Sequence, residues 1–235
     1  FDTAIYFRDL EGQGALVSLT DVSITSFRYG VYVDDVRTEA LVEATRLTLS
    51  DIEREAIHVQ ECSLALHVSL IDGPAYSSYW AVDITGSRDN RNVTLVNNEI
   101  RNRDHGVYIY NWADTVVAMD VIGNAFSHLS GSALEINDFN SASPNVVANI
   151  MGNTVVDCEV TSTVFDLRWG RYHPASANIR DNTFERISGP GSATILSVDV
   201  RSSMAVRVHS NTFRDCSAFT SSISATMHSG ASSDS

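Results

Sequence analysis

The sequence predicts an all-β solenoid: a single-stranded right-handed parallel β-helix of about eight coils. Five times an asparagine is followed two residues later by an apolar side chain: Asn98-Glu-Ile100, Asn124-Ala-Phe126, Asn153-Thr-Val155, Asn182-Thr-Phe184 and Asn211-Thr-Phe213. The intervals are 26, 29, 29 and 29 residues, and Leu95, Val121, Ile150, Ile179 or Val208 stands three places upstream. After each motif comes a turn and a second short alternating run. A repeat of this length marks one supersecondary unit stacked on copies of itself.

The second runs place Ile5, Val31, Ile57, Val82, Val107, Leu134, Phe165, Leu196 and Ile223 on one face, which must be the interior. Upstream, Leu19-x-x-Val22-x-Ile24 and Leu47-x-x-Ser50-x-Ile52 keep the first-run spacing without the asparagine, and Leu66 to Ile71 fits more loosely. The coils are expected to run from about 19 to 29 residues, with two or three strands each, paired in parallel at about 4.8 Å. No helical period appears, which sets aside a leucine-rich repeat. The five asparagines are expected to stack in register, since amide ladders hold flat stacked strands together.

Composition fits this reading. The chain has 235 residues, 43% of them apolar, and no stretch nears the roughly 20 consecutive apolar residues of a membrane span. No charged n-region and apolar h-region opens it. A net charge of −13 argues against nucleic-acid backbones and anionic membranes as partners. All sixteen basic residues are arginine, so lysine chemistry, Schiff bases included, is excluded. Residues 1–226 are expected to form one module that opens in mid-coil, excised from a longer chain. The Ser/Gly-rich stretch 227–235 is expected to be a disordered tail.

Cys158 and Cys216 lie at the same offset from their asparagines, in a column shared with Leu129 and Ile187. That column is interior, and two coils separate the thiols by about 10 Å, too far for a bridge. They read as small buried hydrophobes, with Cys62 far from both, and no metal-ligand cluster accompanies them. Asn92-Val-Thr94 is the single N-glycosylation sequon.

Chemistry belongs on the outer face of the second runs. One outward column is Tyr6, Tyr32, His58, Asp83, Tyr108, Glu135, Asp166, Ser197 and Ser224. Its neighbour is Arg8, Asp34, Gln60, Thr85, Tyr110, Asn137, Arg168, Asp199 and Thr226. Trp80, Trp112 and Trp169 flank the same strands, in loops able to wall a groove. Rings, carboxylates and amides in this arrangement suit a saccharide, and Tyr32, His58, Tyr108, Tyr110, Asn137, Trp112 and Trp169 are the expected binding face. Glu135 and Asp166 on adjacent coils have the separation of a retaining glycosidase pair. Asp83 and Glu135, about 10 Å apart, stand at the upper edge for an inverting one.

The pattern resembles the right-handed β-helix (pectin-lyase-like) superfamily, which includes pectate lyases, polygalacturonases and many non-enzymatic surface proteins. The runs Gly106-Val-Tyr-Ile-Tyr110 and Ser132-Ala-Leu-Glu-Ile136 look most like β-helix modules of bark beetle (anakonda) type animal cell-surface proteins. That likeness implies an extracellular or cell-surface location. The enzymes' signatures survive only as fragments, Asp34-Asp35 and Asp104-His105-Gly106, and Asp104-His105 reads as an exposed turn. The resulting expectation is a non-catalytic module whose partner is a glycan or another surface protein. The alternative is a polysaccharide lyase or glycoside hydrolase on acidic polysaccharide, with Asp83, Glu135, Asp166 and Arg168 catalytic. No cofactor is expected; calcium is the one cation the acidic column would suit, if loop carbonyls joined it.

Overall fold

A computed structural model describes residues 2–9, 14–34, 40–73, 79–86, 92–111, 118–138, 147–169, 176–200, 205–217, 219 and 221–227. The tail expected at 227–235 therefore lies, apart from residue 227, outside the described residues. The chain winds in a fixed order, shown by its first turn. Thr3–Arg8 enters the first sheet, Ala15–Thr20 the second, Ser23–Thr25 the third, and Tyr29–Asp34 returns to the first. Nine, eight and eight described strands build the three sheets, and every pairing is parallel. Such crossovers are right-handed because right-twisted strands pack back on a sheet only that way.

Register is continuous. Ile5, Val31, Ile57, Val82, Val107, Leu134, Phe165, Leu196 and Ile223 pair one above the next in a single file. The step along it runs from 25 residues (Ile57 to Val82) to 31 (Leu134 to Phe165), so most coils fall within the expected 19 to 29 and the longest exceed it by two. Inside, Phe165 sits edge-on between Phe126 at 6.2 Å and Phe184 at 5.0 Å. Val155, the smaller occupant of the phenylalanine column at that level, leaves the room.

The corner between the second and third sheets carries the ladder. Asn98, Asn124, Asn153 and Asn182 are buried. Asn124, Asn153 and Asn182 each receive on Oδ1 the backbone N–H and Nδ2 of the asparagine one coil before, at 2.9–3.0 Å. Each Nδ2 also donates to a strand carbonyl, Val121 O in the case of Asn153 at 2.8 Å. Asn211 takes the last bonds, from Asn182. Ser69 extends the series upstream: its N–H donates to Asn98 Oδ1, and its Oγ accepts from Leu47 N. Leu47 thus stands in the asparagine column and Leu49 in the phenylalanine column, three residues away from the expected register of Leu47-x-x-Ser50-x-Ile52. Ala44 is the reason: it pairs with Leu19 and Leu66 and takes the place that Leu47 was expected to fill.

Immediately before this column the backbone is left-handed in every coil, at Asp21, Arg46, Val68, Asn97, Gly123, Gly152, Asp181 and Ser210. Asparagine, aspartate and glycine tolerate that conformation; a β-branched side chain does not, and Val68 has φ 50°. One buried cation, invisible to the repeat pattern, ties coils together. Arg103 is 1% exposed, donates from Nη1 to Ile52 O at 2.8 Å and from Nη2 to Arg54 O, and burial holds its pKa down to about 10. Gly73 makes the space, since a Cβ there would lie 2.5 Å from Arg103 Cδ.

Candidate functional site

The site is built on the outer face of the first sheet, where strict alternation leaves every second side chain pointing away from the core. Pairing puts Tyr6, Tyr32, His58, Asp83, Tyr108, Glu135, Asp166, Ser197 and Ser224 in one file. Beside it runs Gln60, Thr85, Tyr110, Asn137, Arg168, Asp199 and Thr226. These side chains are not a solvated fringe. Asp166 and Asn137 are buried, and most of the remainder are half-buried.

Aromatic contacts run along the face. Tyr6 lies 5.8 Å from Tyr32, which stacks on His58 at 4.4 Å. Tyr108 is held between Trp80 at 5.0 Å and Tyr110 at 5.8 Å, both nearly parallel to it. The rings therefore spend part of their faces on one another. His58 Nδ1 and Asp83 Oδ2 are 2.9 Å apart, which fixes both side chains. Asn137 hydrogen-bonds Tyr108, while burial and then Glu135 push the phenol up. Tyr32 is likewise raised, first by burial and then by Asp34.

The carboxylates divide into two environments. Asp166 is clamped by Arg168, with Nε to Oδ1 at 3.1 Å and Nη2 on Oδ2. Glu135, paired directly beside it, has its pKa raised by burial and by the Asp166 charge, against an opposing pull from Arg168. Adjacent groups in unlike surroundings are the usual basis for separate acid and base roles. Among the described residues, no three His, Cys, Asp or Glu side chains gather to hold a metal ion.

Not every expected site residue joins this face. Trp169 ends the strand Phe165–Trp169 and is 3% exposed, inside the core. It is the third member of the inward set Phe165, Leu167, Trp169, so the alternation runs further than a loop at that point allows. Trp112 and Asp35 lie outside the described residues. His105 is no exposed turn: it opens the strand His105–Asn111, accepts from Ser132 N on Nδ1 at 3.1 Å, and lies 4.4 Å from Trp80. Burial lowers its pKa, and Asp104 instead receives Ser130 Oγ, so the two form no dyad. Asn92 is exposed at the head of Asn92–Val96 in the second sheet. Cys62, Cys158 and Cys216 form no disulfide.

Three further residues border the site unannounced by the repeat. Arg54 donates to Tyr29 Oη at 2.6 Å, its guanidinium lying 5.5 Å from that ring and 4.8 Å from Tyr79. Tyr29 in turn meets Tyr32 edge-on at 5.5 Å. Arg54 and Tyr79 sit in connections, where no column marks them.

A family model described as the right-handed β-helix region matches residues 9–194. The chain belongs to the right-handed β-helix family. Its matched span covers the asparagine ladder through Asn182 and the first-sheet face from Tyr32 to Asp166. No curated protein and no solved structure matches the chain, so the choice between binding and catalysis in this β-helix rests on the site itself.

Proposed function

We propose that this β-helix is a non-catalytic extracellular module whose first-sheet face binds glycan, free or carried by another surface protein. The observation that supports it is the row of interlocked rings and hydrogen-bonded polar groups. Tyr32 on His58, His58 on Asp83, and Tyr108 between Trp80 and Tyr110 leave few rotamers to freeze on binding. Preorganisation of this kind raises affinity by lowering the ordering cost. An N-glycan on Asn92, projecting from the second sheet, would leave that face clear.

Capture of immobilised glycans is the test. Tyr110→Ala and Asp83→Ala should each weaken capture at least tenfold, with the melting temperature held within a few degrees. Unchanged capture in both removes this face from consideration.

Glu135 favours a second reading, glycoside hydrolysis or polysaccharide cleavage. A half-buried carboxyl biased toward its protonated form is placed to donate to a leaving oxygen, beside Asp166 held by Arg168. Under this reading Asp83, Glu135, Asp166 and Arg168 are the catalytic set. Release of reducing or unsaturated ends from a polysaccharide panel, abolished in Glu135→Gln, would establish it; no release from any substrate removes it.

A further inference from the structure

On the proposal that the first-sheet face binds glycan, we infer that its ligand is an uncharged, hydroxyl-rich saccharide and not a polyuronate. Two independent observations lead there.

The first is charge. The two outward columns carry five carboxylates, Asp34, Asp83, Glu135, Asp166 and Asp199, against the guanidiniums of Arg8 and Arg168. Arg168 is engaged in two bonds by Asp166, and Arg8 Nε lies 3.8 Å from Asp9. His58 faces Asp83. Each described cation of the face thus already has a carboxylate before it. A chain of uronates laid along these columns would meet a row of its own sign. The calcium ions that could bridge two such rows find no cluster of three ligands among the described residues.

The second is an excess of acceptors. Asn137 is 8% exposed, its Nδ2 points to Glu135 Oε1 at 3.5 Å, and its buried Oδ1 meets no donor among the described residues. Asp83 Oδ1 and Glu55 Oε2 are in the same condition, and Glu55 stands close enough to Tyr32 to raise that phenol. A buried acceptor without a donor is costly, so the face is built to receive hydrogen-bond donors. A sugar hydroxyl supplies one without bringing charge, whereas a uronate carboxylate supplies none.

The experiment is a calorimetric comparison of hexasaccharides of matched length: gluco-, manno- and N-acetylchito-oligomers as neutral probes, hexagalacturonate as the acidic probe, and deacetylated chitosan hexamer as the cationic one. Each is titrated at pH 7 in 50 and 500 mM salt, the uronate also with calcium. At least one neutral probe is expected to bind ten times more tightly than hexagalacturonate and to change less than twofold with salt. Asn137→Ala, checked by its melting curve, should cost that probe tenfold, with Asn137→Ser restoring part of the loss. Hexagalacturonate binding as tightly as the best neutral probe, with or without calcium, overturns the inference while leaving a glycan-binding face in place. A salt-sensitive preference for chitosan overturns it in the other direction. Binding of none of the probes overturns both the inference and the proposal beneath it.

Discussion

Replacing Asn153 by alanine deletes the middle rung of the ladder, and the cost follows from which partners are left unsatisfied. Asn153 Oδ1 is the acceptor for Asn124 N at 2.9 Å, and its Nδ2 is the donor to Val121 O at 2.8 Å. Asn124 N is stranded in a site where Asn153 itself is 1% exposed and water cannot substitute, whereas Val121 O loses one donor but stays in the parallel ladder with Val147–Met151. The other two contacts are cushioned: Asn124 Nδ2 keeps Leu95 O, and Asn182 Oδ1 keeps Asn153 N. One orphaned buried N–H at about 1–3 kcal/mol, with the bond lost at Val121 O and a small cavity added, gives a loss of about 2–4 kcal/mol. Asn211→Ala removes the same chemical group from the last, half-exposed rung, where solvent replaces the missing acceptor, and should cost about 1 kcal/mol. Asn153→Leu fills the volume without restoring a bond, so it should be nearly as harmful as alanine, although Leu47 occupies the same column natively. Urea unfolding followed by circular dichroism, with the m-value monitored for loss of two-state behaviour, provides the measurement. Equal losses for Asn153→Ala and Asn211→Ala, or a loss below about 1 kcal/mol for Asn153→Ala, would refute the argument that buried amide pairing governs this corner.

Four other outcomes are expected. Val68→Asn relieves a β-branched residue held left-handed and 58% exposed, and should raise stability by about 0.5–1 kcal/mol in thermal melts. Arg103→Met strands the carbonyls of Ile52 and Arg54 and should lower stability by about 2–4 kcal/mol, with no change if those carbonyls are solvated in solution. Because Glu135 titrates above its unfolded value, its contribution is complete below the ordinary carboxylate range and is lost as pH rises through the folded value. Glu135→Gln should therefore stabilise the fold at pH 7 and make no difference at pH 3, as read from paired melts. Burial pushes the Cys158 thiol up to about 11, so a thiol reagent should label Cys216 in the native protein and reach Cys158 only on unfolding.

The architecture was open to reading because a solenoid repeats its physics. Alternation at Ile5 through Ile223 and the asparagine spacing each recur often enough to fix a column without any knowledge of the loops. The register slip at Leu47 arose where the asparagine was missing and two leucines competed for one place. Placing residues on the outer face was equally accessible, since register alone puts Asp83 beside Tyr108 and Glu135 beside Asp166. What those side chains do to each other was not. Whether Tyr108 offers its ring or surrenders it to Trp80, and whether Glu135 or Asp166 captures Arg168, depends on rotamers that spacing leaves free. Arg103 and Arg54 escaped notice for a related reason: their partners are backbone carbonyls or rings in connections that carry no period.

The two left-handed corners have a bearing on how such a molecule changes over generations. In seven coils a second left-handed residue, Ser26, Asp51, Asn102, His128, Asp157, Arg186 or Asp215, follows the column position at Val22, Leu47, Asn98, Asn124, Asn153, Asn182 or Asn211 by four residues. The spine formed by the second and third sheets is thus inelastic, and inserted or deleted residues can be absorbed only along the two margins of the first sheet. A lineage can therefore rebuild the rim around its polar face, coil by coil, while the asparagine stack behind it inherits no disturbance.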